Sequence, residues 1–252
     1  MIKILLSGCC GKMGNAVANF AEKCDDVSII GGVDAVVGKC DFPVFKSFSQ
    51  VNLSPDVIID FSNVSVLDGL LKFARQNKIP VVIATTGYNS TQIERIKSVA
   101  KEIPVFFTAN MSLGINLICS LAKQTASVLG SDFDIEIIEK HHNSKLDAPS
   151  GTAVMLANAI NTVFENTYNY EYDRHSKRRA RPKNEIGIHS VRGGTIVGEH
   201  DVIFAGNEEV ITLSHSAQSK GVFASGAIAA ARFVANAPAG LYDMNSLICS
   251  DL

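Results

Sequence analysis

The 252-residue sequence has no C-x-x-C pair and no dense cysteine cluster; its six cysteines stand at positions 9, 10, 24, 40, 119 and 249. Disulfide scaffolds belong to small, cysteine-rich secreted chains, so the expectation is reduced thiols and a cytoplasmic location. An excess of one charge is also missing. The net charge is −2 and 19% of residues are charged, which excludes a global pull toward nucleic acid or a membrane surface. Long apolar runs are absent. The opening MIKILLSG turns polar too soon for a spanning helix and lacks the layout of a secretory signal. Neither internal repeats nor low-complexity segments occur. What is present is 46% apolar residues, ample for one large core or two small ones.

The first hundred residues alternate short apolar runs with amphipathic stretches. Residues 2–6, 27–33, 57–60, 81–85 and 105–108 read as buried strands, and residues 15–23, 67–76 and 92–101 as helices. Apolar strands without alternation, separated by helices, predict a Rossmann-like α/β domain, a doubly wound parallel sheet covered on both faces. The rhythm then changes. A helix over 114–128, a strand over 133–139 and a helix over 152–163 precede a polar segment, 165–183. Runs at 186–192, 195–197, 202–204 and 210–214, separated by glycine turns, predict an antiparallel meander. This second part reads as an α+β domain for substrate binding and oligomerisation, spanning 111–220. A final alanine-rich helix over 221–235 is expected to rejoin the first domain, giving 1–110 with 221–252.

Directly after the first strand stands Gly8-Cys9-Cys10-Gly11-Lys12-Met13-Gly14, opening a helix. Glycine there permits a tight turn, close approach of backbone to a pyrophosphate, and close packing of helix on strand. The helix N-terminus offers free N–H groups to phosphates. Asp34, at the end of the second strand, is placed to accept hydrogen bonds from adenosine ribose hydroxyls. Ala84-Thr85-Thr86-Gly87 and Thr108-Ala109-Asn110-Met111 fall at strand ends, where such sheets bind ligands. Cys9 and Cys10 have no recognisable activating neighbours and read as inert thiols.

The densest chemistry is Glu139-Lys140-His141-His142-Asn143-Ser144-Lys145, running on to Ser150-Gly151-Thr152. Two imidazoles at a strand end, an ammonium, a Ser150 helix cap and a bare Gly151 turn suit an anionic small substrate. The carboxylates nearby do not form a familiar zinc spacing, and no metal is expected. The basic run 174–183 has no aromatic platform or nucleic-acid module and reads as a solvated loop.

Taken together, G-C-C-G-K-M-G, I-D-F-S (59–62), A-T-T-G, A-N-M-S-L-G-I-N (109–116), E-K-H-H-N-S-K-L-D-A-P-S-G-T-A and I-G-I-H-S-V-R-G-G-T-I-V-G-E-H (186–200) resemble the 4-hydroxy-tetrahydrodipicolinate (dihydrodipicolinate) reductase family of diaminopimelate and lysine biosynthesis. The resemblance runs nearly end to end. It implies catalytic roles for His141 and Lys145, and substrate carboxylates held by His142, Lys145, Gly151 and Thr152, to which the residue reading adds Ser150. It also implies dinucleotide contacts from Gly8, Cys9, Cys10, Gly11, Lys12, Met13, Asp34, Ala84, Thr85, Thr86, Thr108, Ala109, Asn110 and Met111. The implied partners are a cyclic dicarboxylate and three further copies of the chain, as a homotetramer.

Ala84 stands where many relatives have glycine. Ala35 stands where some place an arginine suited to a 2′-phosphate. Both NADH and NADPH are therefore expected to serve, NADH modestly favoured, with Lys12 a possible cation for the phosphate. Two other readings remain open at this point. One is a two-domain nicotinamide reductase of another imino or amino acid. The other is a non-catalytic dinucleotide sensor, which would not need His141 with Lys145.

Overall fold

The computed structural model describes residues 1–36, 38 and 40–250, with side chains as far as Ile248. The chain begins β1 (Ile2–Ser7), α1 (Lys12–Ala21), β2 (Val27–Val33), β3 (Val44–Phe45), β4 (Val57–Asp60), α2 (Leu67–Asn77), β5 (Val81–Ile83), α3 (Ser90–Val99) and β6 (Pro104–Phe107). It continues through α4 (Leu113–Leu129), β7 (Asp134–His141), α5 (Gly151–Asn161), β8 (Asn169–Glu171), β9 (Glu185–Arg192), β10 (Gly198–Ala205) and β11 (Val210–Ala217). It closes with α6 (Gly221–Val234), β12 (Gly240–Tyr242) and α7 (Met244–Ser250). Two compact units result: Met1–Leu113 together with the chain from Lys220 onward, and Gly114–Ser219 between them. Among the described residues no helix is long and apolar enough to cross a membrane.

The first unit is a wholly parallel seven-stranded sheet in the order β12-β6-β5-β4-β1-β2-β3. Successive strand residues face opposite sides, so a strand covered on both faces is apolar throughout. Ile4, Leu6, Val57, Ile59, Val82 and Phe106 pack on one side against α1 and α6. Their neighbours Leu5, Ile58, Val81, Ile83 and Val105 pack on the other, against α2 and α3. Helix ends follow local chemistry. Asn89 and Gln92 form a reciprocal capping box at the start of α3, with hydrogen bonds of 2.9 and 3.0 Å. Order reverses between β1 and β4, so the carboxyl ends of these strands border the crevice where open sheets take ligands.

The second unit holds a five-stranded sheet in the order β11-β10-β7-β9-β8. It is mixed rather than the meander expected from the turn signals. β9 runs parallel to β7 and β8, whereas β10 lies antiparallel on the other side of β7. Residues 195–197 are not a strand but belong to the turn before β10, and the polar segment contains β8. Ile135, Ile137, Ile186, Ile188, Val202 and Phe204 bury one face of this sheet against Ala122 and Ala126 of α4 and Leu156 and Ile160 of α5. Strict alternation along β7 carries Glu139 and His141 onto that same buried face.

The basic run is not simply a solvated loop. Arg181 donates to Asp134 and Glu136, both at 2.9 Å, and to the carbonyls of Ile135 and Glu185. Arg174 reaches Glu136 and Glu185, and Lys177 reaches Glu171. Among these acids Glu171 and Glu185 are buried, where a carboxylate needs a cation. A Cβ at Gly187 on β9 would stand 1.7 Å from Glu136 Oε2, so a larger residue there would displace this carboxylate from its present place.

Candidate active site and dinucleotide cavity

In the first unit the loop after β1 behaves as its glycines predict. Gly8 has φ +75°, and a Cβ there would meet the Phe61 carbonyl oxygen at 2.4 Å. A Cβ at Gly14 would strike the Gly8 oxygen at 2.2 Å, so only glycine lets α1 lie this close to the loop. Gly11 caps α1 without any side-chain bond, which leaves the N–H groups of the first turn available to an anion.

A cavity of about 480 Å³ opens at the carboxyl ends of β1, β2 and β4, lined among others by Gly8, Gly11, Asp34, Lys46, Ser47 and Ser62. Asp34 is held in place there, accepting from the N–H of Cys10 at 3.0 Å and of Val36 at 3.1 Å. A glycine cradle, an uncapped helix start and a fixed acid are the features a dinucleotide's pyrophosphate and ribose require.

Lys12 is exposed on α1 and does not line this cavity, nor do Cys9, Cys10 and Met13. Among the described residues the cation that does is Lys46, which sequence reading passed over because it follows a two-residue strand with no motif of its own. The segments after β5 and β6 also lie outside it. Thr85 is buried and donates to Asp60 at 2.7 Å, and Met111 is buried in the core beneath α6. Thr86 and Ala109 are exposed, Ala84 is half-buried, and Thr108 and Asn110 bond to each other.

Asp60 was also missed as a functional candidate. Burial raises its pKa above the usual carboxylate range, although hydroxyls of Ser62, Ser7 and Thr85 act against that rise. It ties the segment after β5 to the end of β4.

The second unit gathers a charged cluster at the end of β7. Glu139, wholly buried, accepts from His141 Nδ1 at 2.5 Å. It also accepts from Arg192 Nη1 and Nη2 at 2.8 and 2.7 Å, and from the Ser150 N–H at 3.1 Å. Burial alone would raise its pKa, but the Arg192 guanidinium, Ser190, His141 and the Ser150 amide outweigh it and hold the carboxyl at about 2. Glu139 is therefore an anion that fixes the imidazole and keeps a proton on Nδ1, leaving the lone pair on Nε2. Gly198 beside it has no side chain, and a Cβ there would stand 3.1 Å from that Nε2.

Ser150 caps α5 by accepting from the Ala153 N–H at 3.1 Å, and its oxygen lies 3.1 Å from His200 Nε2. The hydroxyl proton then goes to Nε2, which puts the ring proton of His200 on Nδ1, buried and without a partner among the described residues. Burial first, and then neighbouring His141, push His200 down to about 4, so it is neutral at physiological pH. Gly151 opens α5 with nothing within 4 Å of where a Cβ would be.

His142 lies just past β7, its Nδ1 2.8 Å from Ser144 Oγ. Lys145 pairs with the exposed Asp147 at 2.9 Å. Thr152, half-buried, is the second residue of α5. Glu139, Arg192 and His200 fall within the motifs quoted from sequence but were given no role there, since an acid within a strand and residues fifty positions on carry no spacing signal. They bring the two long motifs, 139–152 and 186–200, into one cluster.

Comparison with known proteins agrees along the whole chain. A family model described as the N-terminus of dihydrodipicolinate reductase matches residues 2–111, and one for its C-terminus matches 114–248. The 4-hydroxy-tetrahydrodipicolinate reductase of Caldanaerobacter subterraneus subsp. tengcongensis is 52% identical over 98% of both chains. That of Clostridium novyi is 45% identical over 99% of both. A dipicolinate-bound dihydrodipicolinate reductase from Paenisporosarcina sp. TG-14 superposes with a TM-score of 0.82 at 26% identity, covering 97% of this chain and 99% of that one. With both family halves matched in order and relatives near half identical over their full lengths, the chain belongs to the dihydrodipicolinate reductase family of oxidoreductases.

Proposed function

We propose that this protein reduces 4-hydroxy-tetrahydrodipicolinate to tetrahydrodipicolinate, in the diaminopimelate and lysine route, using NADH or NADPH. The observation that carries the reading is the cluster of Glu139, His141 and Arg192 beside the bare, capped start of α5, in a chain of this family. One hydride and one proton enter and one water leaves. The bound nicotinamide supplies the hydride.

His141 holds the proton at Nε2, and the resulting cation faces the Glu139 anion at 2.5 Å. Lys145 exchanges the exposed Asp147 carboxylate for a substrate carboxylate, at little cost because a surface pair is worth only about 0–1 kcal/mol. His142 and the first turn of α5, from Ser150 through Gly151 and Thr152, take the remaining carboxylate oxygens, and His200 Nδ1 supplies a donor. The glycine loop and Asp34 hold the dinucleotide, with the segments 84–86 and 108–111 toward its nicotinamide end. This arrangement, unlike that of a dinucleotide sensor, includes groups for moving a proton.

The test is a coupled assay in which the substrate is generated in place and loss of reduced nicotinamide absorbance is followed. Absence of turnover there, with turnover on another imino acid, would move the chain to the rival reading. Pyridine-2,6-dicarboxylate should inhibit, and Lys145→Ala should weaken that inhibition along with turnover. Equal inhibition of both proteins removes Lys145 from the carboxylate site.

The cavity supports a modest preference for NADH. A 2′-phosphate meets the fixed Asp34 carboxylate as a like charge, which favours NADH, and Lys46 softens the discrimination. Lys46→Ala is expected to lower kcat/KM with NADPH by about fivefold, roughly 1 kcal/mol, and with NADH far less. Lys12→Ala should leave the ratio near that of the parent. A ratio moved by Lys12 and not by Lys46 would reverse the assignment.

The family resemblance further supports a cytoplasmic homotetramer assembled through the second unit. Light scattering should report the mass of four chains at micromolar concentration; a monomer contradicts it.

A further inference from the structure

Three cysteines meet beneath the dinucleotide loop. Cys9 is buried, Cys10 and Cys40 are half-buried, and their sulfurs all lie within 4.8 Å of one another, the Cys9–Cys10 pair at 3.8 Å. Cys40 comes from the segment after β2, thirty residues beyond the other two. The meeting is made possible by small residues. A Cβ at Gly32 would stand 2.4 Å from Cys9 Sγ, and one at Gly38 would stand 3.1 Å from Cys10 Sγ. The Gly38 N–H donates to Cys10 Sγ at 3.2 Å. A cavity of about 330 Å³ lined by Cys9, Cys40, Cys24 and Asp41 gives access from solvent. Burial pushes the Cys9 and Cys40 thiols up, so unaided they remain neutral and poor nucleophiles.

Metal–sulfur bonds of about 2.3 Å, arranged trigonally or at three corners of a tetrahedron, place sulfurs about 3.8–4.0 Å apart. We propose that Cys9, Cys10 and Cys40 form a binding site for one soft, thiophilic metal ion, and that its occupancy stiffens the glycine loop and weakens dinucleotide binding. Thiolates select such ions over hard cations, and binding releases the thiol protons to solvent. The coupling is direct, because the Cys10 N–H holds the Asp34 carboxylate.

The coupling to the cofactor rests on the proposed dinucleotide site, but the metal site does not. Two readouts separate them. Under strictly reducing, chelator-free conditions, cadmium(II) alone should give a thiolate-to-metal charge-transfer band that saturates at one equivalent. The loaded protein should have three fewer thiols reactive toward a disulfide reagent. Cys40→Ser should lose the saturating band, while Cys119→Ser and Cys24→Ser keep it. A band that never saturates, or an unchanged band in Cys40→Ser, overturns the site.

NADH affinity, read by fluorescence, should fall on loading the wild type, recover with a chelator, and be unaffected by cadmium in Cys40→Ser. One-to-one metal binding with unchanged NADH affinity would keep the site and overturn the coupling. Without cadmium, Cys40→Ser should bind NADH like the parent, which shows that it folds.

Discussion

Replacing His141 with alanine is expected to lower kcat by about 10²–10⁴-fold, the usual contribution of a general acid–base group. NADH affinity should stay near that of the parent, because His141 belongs to the second unit whereas the glycine loop and Asp34 belong to the first. Glu139→Gln should act through His141. An amide in place of the carboxylate removes the anion that opposes the imidazolium, yet keeps size and some hydrogen bonding. Its kcat should fall, with substrate KM changing less, and the pH profile of kcat should shift relative to the parent. A His141→Ala enzyme with turnover close to the parent removes the imidazole from the mechanism. Lowered activity in Glu139→Gln with an unmoved pH profile would mean that Glu139 serves only the fold.

The second large effect is on stability. Arg192→Ala leaves Glu139 buried without its guanidinium, and breaking such a pair from one side typically costs about 3–5 kcal/mol. Removing both partners, as in Glu139→Leu with Arg192→Leu, should cost less than removing Arg192 alone. The sign of the acid dependence follows from the depressed pKa. A carboxyl near 2 in the folded protein and near its ordinary 4.5 when unfolded stabilises the fold fully above about 4.5. That contribution is lost as pH falls toward 2. Urea unfolding across pH 2–7 should show this loss in the parent and a smaller one in Arg192→Ala. An Arg192→Ala midpoint equal to the parent's at pH 7 would show that the pair carries no net stability.

Legibility in the sequence differed between the two units for physical reasons. In the first, two-sided burial turns β1, β2, β4, β5 and β6 into apolar runs that composition alone reveals, while β3 and β12 are two- and three-residue edge pieces with no such signature. In the second, Arg192-Gly193-Gly194 correctly marks a turn, but a turn signal does not say which strands become neighbours. β10 folds back antiparallel beside β7 while β9 lies parallel on its other side, and that choice is made by packing over α4 and α5.

The site shows the same division. His141, Lys145, Ser150 and Gly151 fall within a dozen residues and were legible as a group. Arg192 and His200 reach Glu139 and Ser150 across the sheet from far along the chain, and Lys46 and Cys40 stand outside any motif that marks them. The basic segment was misread because two of its partners, Asp134 and Glu136, are acids on a strand far back in the chain.

The late return of α6 to the first unit has a consequence for how the protein is made. Ala224, Ala227, Ala230, Ala231 and Val234 cover a sheet face that includes Ile4, Leu6, Val57 and Ile59. A ribosome releases those strands more than 150 residues before their cover, and during that interval it completes every element of the second unit. The unit begun first is thus finished last, and the nascent chain carries a greasy strip covered only in part, by α1, through most of its synthesis. Translation halted near Ser219 would leave the second unit able to settle while the first stays adhesive, a substrate for holdase chaperones. Release of that hold should coincide with emergence of the alanine-rich helix rather than with completion of the early strands.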